Sequence, residues 1–470
     1  MDNNKKLHGQ VYTPQYMVKN MLNYAEYNTG KHILKKHFMD NSCGMGAFLC
    51  KAVKRYIRSA MEQHYSNREI VSDLETYIHG IDNDTYAVNK CVSNLNDIAA
   101  RYDIRGVVWD IRCEDTLTVT EYDGMMDFVV CNPPYVRVHN LSDSYDAVKT
   151  FEFAKKGMTD LYLVFFEIGF RMLSPKGVMC YITPSSWINS VSGKALREYM
   201  ARERNLMSIT DFGHYQIFKG NSTYTSVTVF NKATRIPYFD YYQFDEVKKK
   251  RELKCLLSYD DVTIDGKFYL GRKEDLDRLR EIKTCVCDKV QVKNGFATLS
   301  DNSFIGEHIP DSPITIPVIK ASTGHMTKCL YPYDKDGNAL PYDTVFSYRT
   351  VAEHLNREMP ALTSKKRDGG EWYHYGRTQA INDVYRPKIT VNNLLRDKND
   401  LKVSFAEEGC GVYSGFYILG DITLDMVADI LRTDDFVSYV KMLRKYKSGG
   451  YYTFGSKDLE QYLNFKLSKL

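Results

Sequence analysis

From Thr13 to Phe230 the chain alternates strand-length apolar runs with helix-length amphipathic runs, and no other feature constrains its fold as strongly. Strands are expected at 37–40, 77–81, 107–109, 126–131, 178–183, 206–211 and 225–230. Helices are expected to follow Gly46 and to open at Asp84, Asp160 and Gly193. A further helix opens at Thr13-Pro14, with Thr13 as N-cap and Pro14 at the first helical position. Successive strands joined through helices run parallel, because a parallel return needs a long crossover. The expectation is an α/β fold: a doubly wound, mostly parallel, seven-stranded sheet with helices on both faces. Ligands of such sheets sit beyond the carboxyl ends of the strands.

After Pro237 the alternation stops, and turn signals crowd in at Asp265-Gly266, Asp336-Gly337, Asp368-Gly369-Gly370 and Ser448-Gly449-Gly450. Residues 236–470 are therefore expected to form a second domain of α+β or mainly β character, following a first domain at 1–235. The run Lys248-Lys249-Lys250-Arg251 near this junction reads as a solvated linker face. With 63 Lys+Arg against 59 Asp+Glu, the chain is not a histone-like basic protein, although a local patch can still bind nucleic acid. The 11 cysteines form no CxxC pair, which fits a reducing compartment better than a disulfide or zinc framework. The opening MDNNKKLHGQ has no apolar signal core, and the apolar stretch Leu161–Leu173 is short and holds Glu167 and Arg171. A cytoplasmic protein without a membrane partner is expected.

Three features carry chemistry. Asn132-Pro133-Pro134-Tyr135 directly follows the strand 126–131, where a doubly wound sheet places its chemistry. A purine amine is a poor nucleophile because its lone pair is delocalised into the ring. A site that accepts hydrogen bonds from both N–H groups draws the nitrogen towards tetrahedral geometry. The Asn132 side-chain carbonyl and the Pro133 backbone carbonyl suit that task, with the prolines fixing φ and Tyr135 available to stack. The bland alternative is an Asn-Pro-Pro turn with a surface tyrosine. The second feature is Asp40-Asn41-Ser42-Cys43-Gly44-Met45-Gly46, between a strand and a helix, whose glycines allow close backbone approach to a ligand. It lacks the third glycine of the dinucleotide fingerprint, and a tight turn is its plain alternative. The third is a pair of carboxylates at strand ends: Asp82 to hold ribose hydroxyls and Asp115 to accept an adenine amino hydrogen. Together these residues describe an adenosyl pocket without a phosphate site.

In this order the motifs resemble the S-adenosylmethionine-dependent DNA adenine-N6 methyltransferases, nearest to the gamma-ordered, Taq-type group of restriction–modification systems. The likeness runs from Tyr12-Thr13-Pro14 through Asp160-Leu161-Tyr162 and Pro184-Ser185-Ser186-Trp187, and continues faintly at 292–298. It implies a Rossmann-like methyltransferase sheet and a C-terminal target-recognition domain. S-adenosylmethionine would be held by Tyr12, Thr13, Asp40, Ser42, Cys43, Gly44, Gly46, Asp82, Asp115 and Asn132. The resemblance also implies duplex DNA as partner, a flipped adenine as substrate, a monomeric state, and room for a separately encoded restriction endonuclease. Phe218 matches the family's aromatic that packs on the extruded base, and Asn41 stands where many members carry proline. The stretch 136–157, with Arg137, His139 and Lys156, is expected to close over the nucleotide and contact phosphates. Arg377 and Tyr451, with Arg367, Tyr373 and Tyr375, suit groove or phosphate contact, although aromatic packing with surface arginines is the simpler reading.

The same tetrapeptide chemistry also serves enzymes that methylate a protein glutamine amide. The pattern leaves room, too, for an RNA adenine methyltransferase or a non-catalytic DNA-recognition subunit. The large C-terminal half and the intact Asn132, Asp82 and Asp115 favour the DNA enzyme. Cys131 adjoins the motif, but the chain has no Pro-Cys dipeptide, so cytosine-C5 chemistry is excluded and Cys131 reads as a small residue ending a buried strand.

Overall fold

The computed structural model describes residues 12–138, 145–155, 159–218, 223–365 and 367–470; His139 and Lys156 lie outside them. The chain divides into two compact units, the first ending at Leu276 and the second running Asp277–Leu470.

The first unit is built on one sheet of nine strands in the order β3-β2-β1-β4-β5-β7-β6-β8-β9. The strands are β1 (Phe38–Asp40), β2 (Ile78–Asp82), β3 (Asp110–Cys113), β4 (Met126–Cys131), β5 (Leu173–Pro184), β6 (Leu206–Asp211), β7 (Thr225–Asn231), β8 (Tyr238–Asp245) and β9 (Lys250–Ser258). β1 pairs in parallel with both β2 and β4, and β4 pairs in parallel with β5. β7 is antiparallel to both β5 and β6. Strand order reverses between β1 and β4, so a crevice opens at their carboxyl ends.

The expected count of seven strands is exceeded because β8 and β9 extend the sheet beyond β6. The change of texture at 235–236 therefore falls between two strands of one sheet. β3 also lies later than expected, at 110–113 in place of 107–109, in a register that sets Asp110 opposite His79. The two side chains hydrogen-bond at 2.7 Å, and the Tyr122 hydroxyl donates to the same carboxylate oxygen of Asp110.

Helices cover the sheet. α1 is Gln15–Tyr24, α2 Ala47–Glu62, α3 Asn67–Tyr77, α4 Thr85–Ala100, α5 Leu161–Met172 and α6 Lys194–Glu203. α2 buries Phe48, Leu49, Ala52, Val53, Tyr56, Ile57 and Ala60, the three-and-four spacing of one helical face. α3, which the sequence pattern did not single out, is set by a capping box between Ser66 and Glu69. α5 is apolar almost all round and correspondingly buried.

The basic run after β8 is exposed at Lys248 and Lys250, as a solvated face would be, but packed at Lys249 and Arg251. Lys249 Nζ donates to the Tyr215 hydroxyl at 2.7 Å and lies 4.4 Å from that ring's centroid. The Arg251 guanidinium is stacked between Tyr24 (3.8 Å) and Tyr242 (4.1 Å). The aromatic-rich surroundings turn these cations into packing groups of the β8–β9 hairpin.

The second unit mixes helices with small sheets. One sheet has the order 290–294, 416–420, 388–391, 403–406 and is antiparallel throughout. A second has the order 325–330, 315–320, 411–413. Tyr373 and Tyr375 are core residues here, Tyr375 packed with Phe296, Phe304 and Tyr333 and Tyr373 with Tyr342, Phe346 and Trp372, so they do not form a contact surface. Arg377 is exposed. The Tyr451 ring is half-buried beneath the Arg396 guanidinium, at 4.4 Å.

Candidate active site

A cavity of about 380 Å³ opens at the carboxyl ends of β1 and β4. It brings together Tyr12, Thr13, Asp40, Ser42, Cys43, Gly44, Gly46, Asp82, Asp115, Asn132, Pro133 and Pro134. These residues come from five separate segments of sequence, and the switch point of the sheet gathers them.

The turn after β1 forms the floor. Gly44 and Gly46 both adopt left-handed backbone, with φ of 49° and 85°. A Cβ at Gly46 would lie 2.6 Å from Cys91 Sγ of α4, whereas one at Gly44 would meet nothing within 4 Å. The first glycine thus leaves open space and the second lets α2 pack on α4. Asp82 ties this turn to β2: its Oδ2 accepts from the Gly44 amide at 2.8 Å and its Oδ1 from the Asp84 amide at 3.0 Å. Asp115 Oδ1 accepts from the Leu117 amide at 3.0 Å, fixing the carboxylate within its turn.

The wall is acidic. Asp40, Asp82, Glu114 and Asp115 all line the cavity, and among its described lining residues there is no Lys, Arg or His. Burial pushes the Asp40 carboxyl well above the ordinary carboxylate range, and the neighbouring Asp82 pushes in the same direction. Burial raises Asp82 too, against the pull of its amide donors. Both carboxylates are therefore primed to gain from a cationic ligand.

Asn132 leaves β4 straight into this cavity. Its Nδ2 donates to Thr13 Oγ1 at 3.2 Å, and its backbone carbonyl accepts from Ser42 Oγ at 3.4 Å. Thr13 can accept because α1 begins one residue later than expected: Pro14, with ψ of 143°, is the cap and Gln15 the first helical residue. Tyr135 turns away from the cavity lining. Its hydroxyl donates to the Ile182 carbonyl of β5 at 3.1 Å, and its ring meets Phe218 at 6.0 Å and 69°. Phe218 is 4% exposed, so it packs in the core beside Tyr135. Arg137 is exposed and pairs through its backbone with Asp160, ahead of α5.

The sequence pattern did not flag Asn41, Glu114, Thr116 and Phe165 as lining residues, yet they also line the cavity. Glu114 sits beside the singled-out Asp115, and Phe165 lies on the helix opened by Asp160, so proximity in sequence was the available signal.

The chain has a mixed α/β fold built on a large, mostly parallel sheet, and its sequence is similar to type II restriction–modification methyltransferases. The family model described as Eco57I restriction-modification methylase matches residues 46–218. The chain is 24% identical to the type II restriction enzyme and methyltransferase RM.Eco57I of Escherichia coli, over 86% of this chain and 51% of that protein. It thus spans about half the length of that relative. It is 27% identical to the type II methyltransferase M.BstVI of Geobacillus stearothermophilus, over 91% of this chain and 84% of that one. Among solved structures, the type IIL restriction-modification enzyme MmeI in complex with DNA superposes with a TM-score of 0.67 at 9% identity, covering 94% of this chain and 63% of that one. At such identity the likeness is one of fold.

Proposed function

We propose that this chain is an S-adenosylmethionine-dependent DNA methyltransferase that modifies the N6 amine of an adenine flipped from duplex DNA. The observation that carries this reading is Asn132-Pro133-Pro134, which enters an acidic cavity directly from the end of β4. The relatives named above support the coarser part, methylation of DNA within a restriction–modification system.

The cavity suits the cofactor chemically. A lining with carboxylates and no basic side chain among the described residues disfavours a phosphate-bearing dinucleotide. It favours a ligand that carries a sulfonium, an ammonium and ribose hydroxyls. Asp82 and Asp115 would hold ribose and adenine, Thr13 and the 40–46 turn would border the methionine part, and Phe165 and Leu117 would flank the base. When bound, S-adenosylmethionine supplies an electrophilic methyl group.

The chain's own residues supply placement. With Nδ2 directed to Thr13, Asn132 offers Oδ1 as acceptor for one amino hydrogen of the target, and the Pro133 carbonyl is assigned the other. Accepting both hydrogens localises the lone pair on nitrogen; no covalent nucleophile from the protein is needed. Flipping costs a few kcal/mol; stacking on Tyr135 would offset about 1–3 kcal/mol of it once that ring, which turns from the cavity lining, swings to face the base. Because Phe218 is buried against Tyr135, its use on the base would require that pair to open. We assign the second unit to target recognition, with Arg377 and Tyr451 among the candidate contacts.

The test is expression in a host without adenine methylation, followed by long-read mapping of modified bases. A single methylated motif is expected. Asn132→Ala should abolish transfer and weaken S-adenosylmethionine binding far less, since Asn132 is one of several residues assigned to the cofactor; near-wild-type methylation by that variant refutes the assignment.

A further inference from the structure

Asn41 is fully buried, and its side chain is committed away from the cavity that its backbone helps to line. Nδ2 donates to the Tyr181 hydroxyl at 2.8 Å, and Oδ1 accepts from the Cys131 thiol at 2.9 Å. Its backbone carbonyl accepts from Thr116 Oγ1 at 2.8 Å, next to Asp115. Cys131 and Tyr181 are themselves fully buried and pair across the parallel β4–β5 ladder. Burial pushes the Cys131 thiol and the Tyr181 hydroxyl well above their ordinary values, so both remain protonated donors at neutral pH. Gly169 of α5 makes the room: a Cβ there would lie 2.6 Å from the Tyr181 hydroxyl oxygen.

The sheet explains what this cluster does. Pairing between β1 and β4 runs Phe38–Phe128 and Met39–Val129, which leaves Val130 and Cys131 beyond its end. Strands that reverse order at this point must separate for the crevice to open. The last residues of β4 thus lose their β1 neighbour just before Asn132. Asn41, the first residue past β1, replaces the missing ladder with side-chain hydrogen bonds to β4 and β5. A buried polar cluster with every partner in place specifies a single geometry, whereas an apolar substitute would leave the thiol and the hydroxyl with only each other and break their tie to the end of β1.

We propose that Asn41 is a positioning residue that holds the carboxyl end of β4, and through it the Asn132 side chain, in transfer geometry. This rests on the methyltransferase reading above. The residue does not touch the reacting atoms; it acts through Cys131.

The experiment measures single-turnover methylation of duplex DNA, S-adenosylmethionine affinity by calorimetry, and melting temperature, all on the full chain. Asn41→Leu should slow transfer on the order of 100-fold, which is what about 1 Å of misplacement costs. Its cofactor Kd should stay within about threefold of wild type, since the Thr116 bond to the backbone carbonyl is retained. Cys131→Ala should slow transfer in the same sense, and Cys131→Ser, which keeps a donor, should restore most of the rate. If Asn41→Leu does not fold, the two Cys131 variants carry the test alone. Variants that lower the melting temperature but leave the single-turnover rate at the wild-type value refute the positioning role. Wild-type protein that binds the cofactor and methylates no adenine refutes instead the function on which it rests.

Discussion

Asp82 gives the sharpest test of the cavity, because its structural and ligand-binding roles predict different consequences. In Asp82→Asn the shape is kept and the charge is lost. The wild-type carboxylate accepts from two backbone amides, at Gly44 and Asp84. The amide can present oxygen to only one of them, so one bond becomes neutral and the other is lost. Charge-assisted bonds contribute about 1.5–3 kcal/mol and neutral ones about 1 kcal/mol, so exchanging two of the first for one of the second weakens the turn by roughly 2–5 kcal/mol. Burial raises the carboxyl's pKa, however, which means that its charge is held at a desolvation cost the amide does not carry. The two effects oppose, and the net loss of stability should fall below the roughly 5 kcal/mol upper end of that range. Ligand binding has no such offset. Loss of a charged acceptor for the ribose should weaken S-adenosylmethionine by about 1.5–3 kcal/mol, or roughly 10–150-fold in Kd. Isothermal titration near neutral pH reads the affinity, and scanning fluorimetry reads the stability. A Kd within about twofold of wild type would remove Asp82 from the cofactor site. The raised values also set a sign for pH. Protonation of Asp40 or Asp82 removes an acceptor, so cofactor affinity should fall as pH falls through their elevated pKa values, and binding should release protons. The Asp82→Asn variant should show a flatter dependence.

Gly46→Ala should cost about 1–2 kcal/mol for the left-handed backbone alone, with more for the Cys91 contact, and should weaken cofactor binding with it; Gly44→Ala meets no such neighbour and should destabilise less, as chemical denaturation will show. In the second unit Lys283 and Asp458 form a buried ion pair at 2.6 Å, with Lys445 on the other carboxylate oxygen. Lys283→Met should destabilise by about 3 kcal/mol, the low end for breaking a buried pair, because Lys445 remains. Burial works against the Asp458 charge, but the two ammonium groups outweigh it and hold the carboxyl well below the ordinary range. Its contribution is therefore complete above about pH 4 and is lost as pH falls further, so the melting-temperature gap between wild type and Lys283→Met should narrow in acid.

The sequence by itself determined the layering and most of the cavity. Period and spacing are local properties, and the strand–helix alternation from Thr13 to Phe230 was enough to require a doubly wound sheet. The residues expected at the cofactor site all line one cavity, because in such a sheet a strand's carboxyl end is also a fixed place in space. Pairing partners were not legible. Nothing local in Tyr238–Ser258 distinguishes two more strands of the first sheet from the start of a second domain; the parallel pairing of β8 with β6 decided it. Lys249 and Arg251 read as a solvated run until the tyrosines that flank them were brought in from α1, β8 and the segment after β6. Phe218 and Tyr375 carried the residue type of a contact surface, yet the fold spent both as core, since an aromatic ring gains most where it is fully buried. Asn41 is the clearest case. As a sequence position it is a turn residue after an aspartate. Only the separation of β1 from β4 gives its side chain a gap to bridge, and that separation is a property of the assembled sheet.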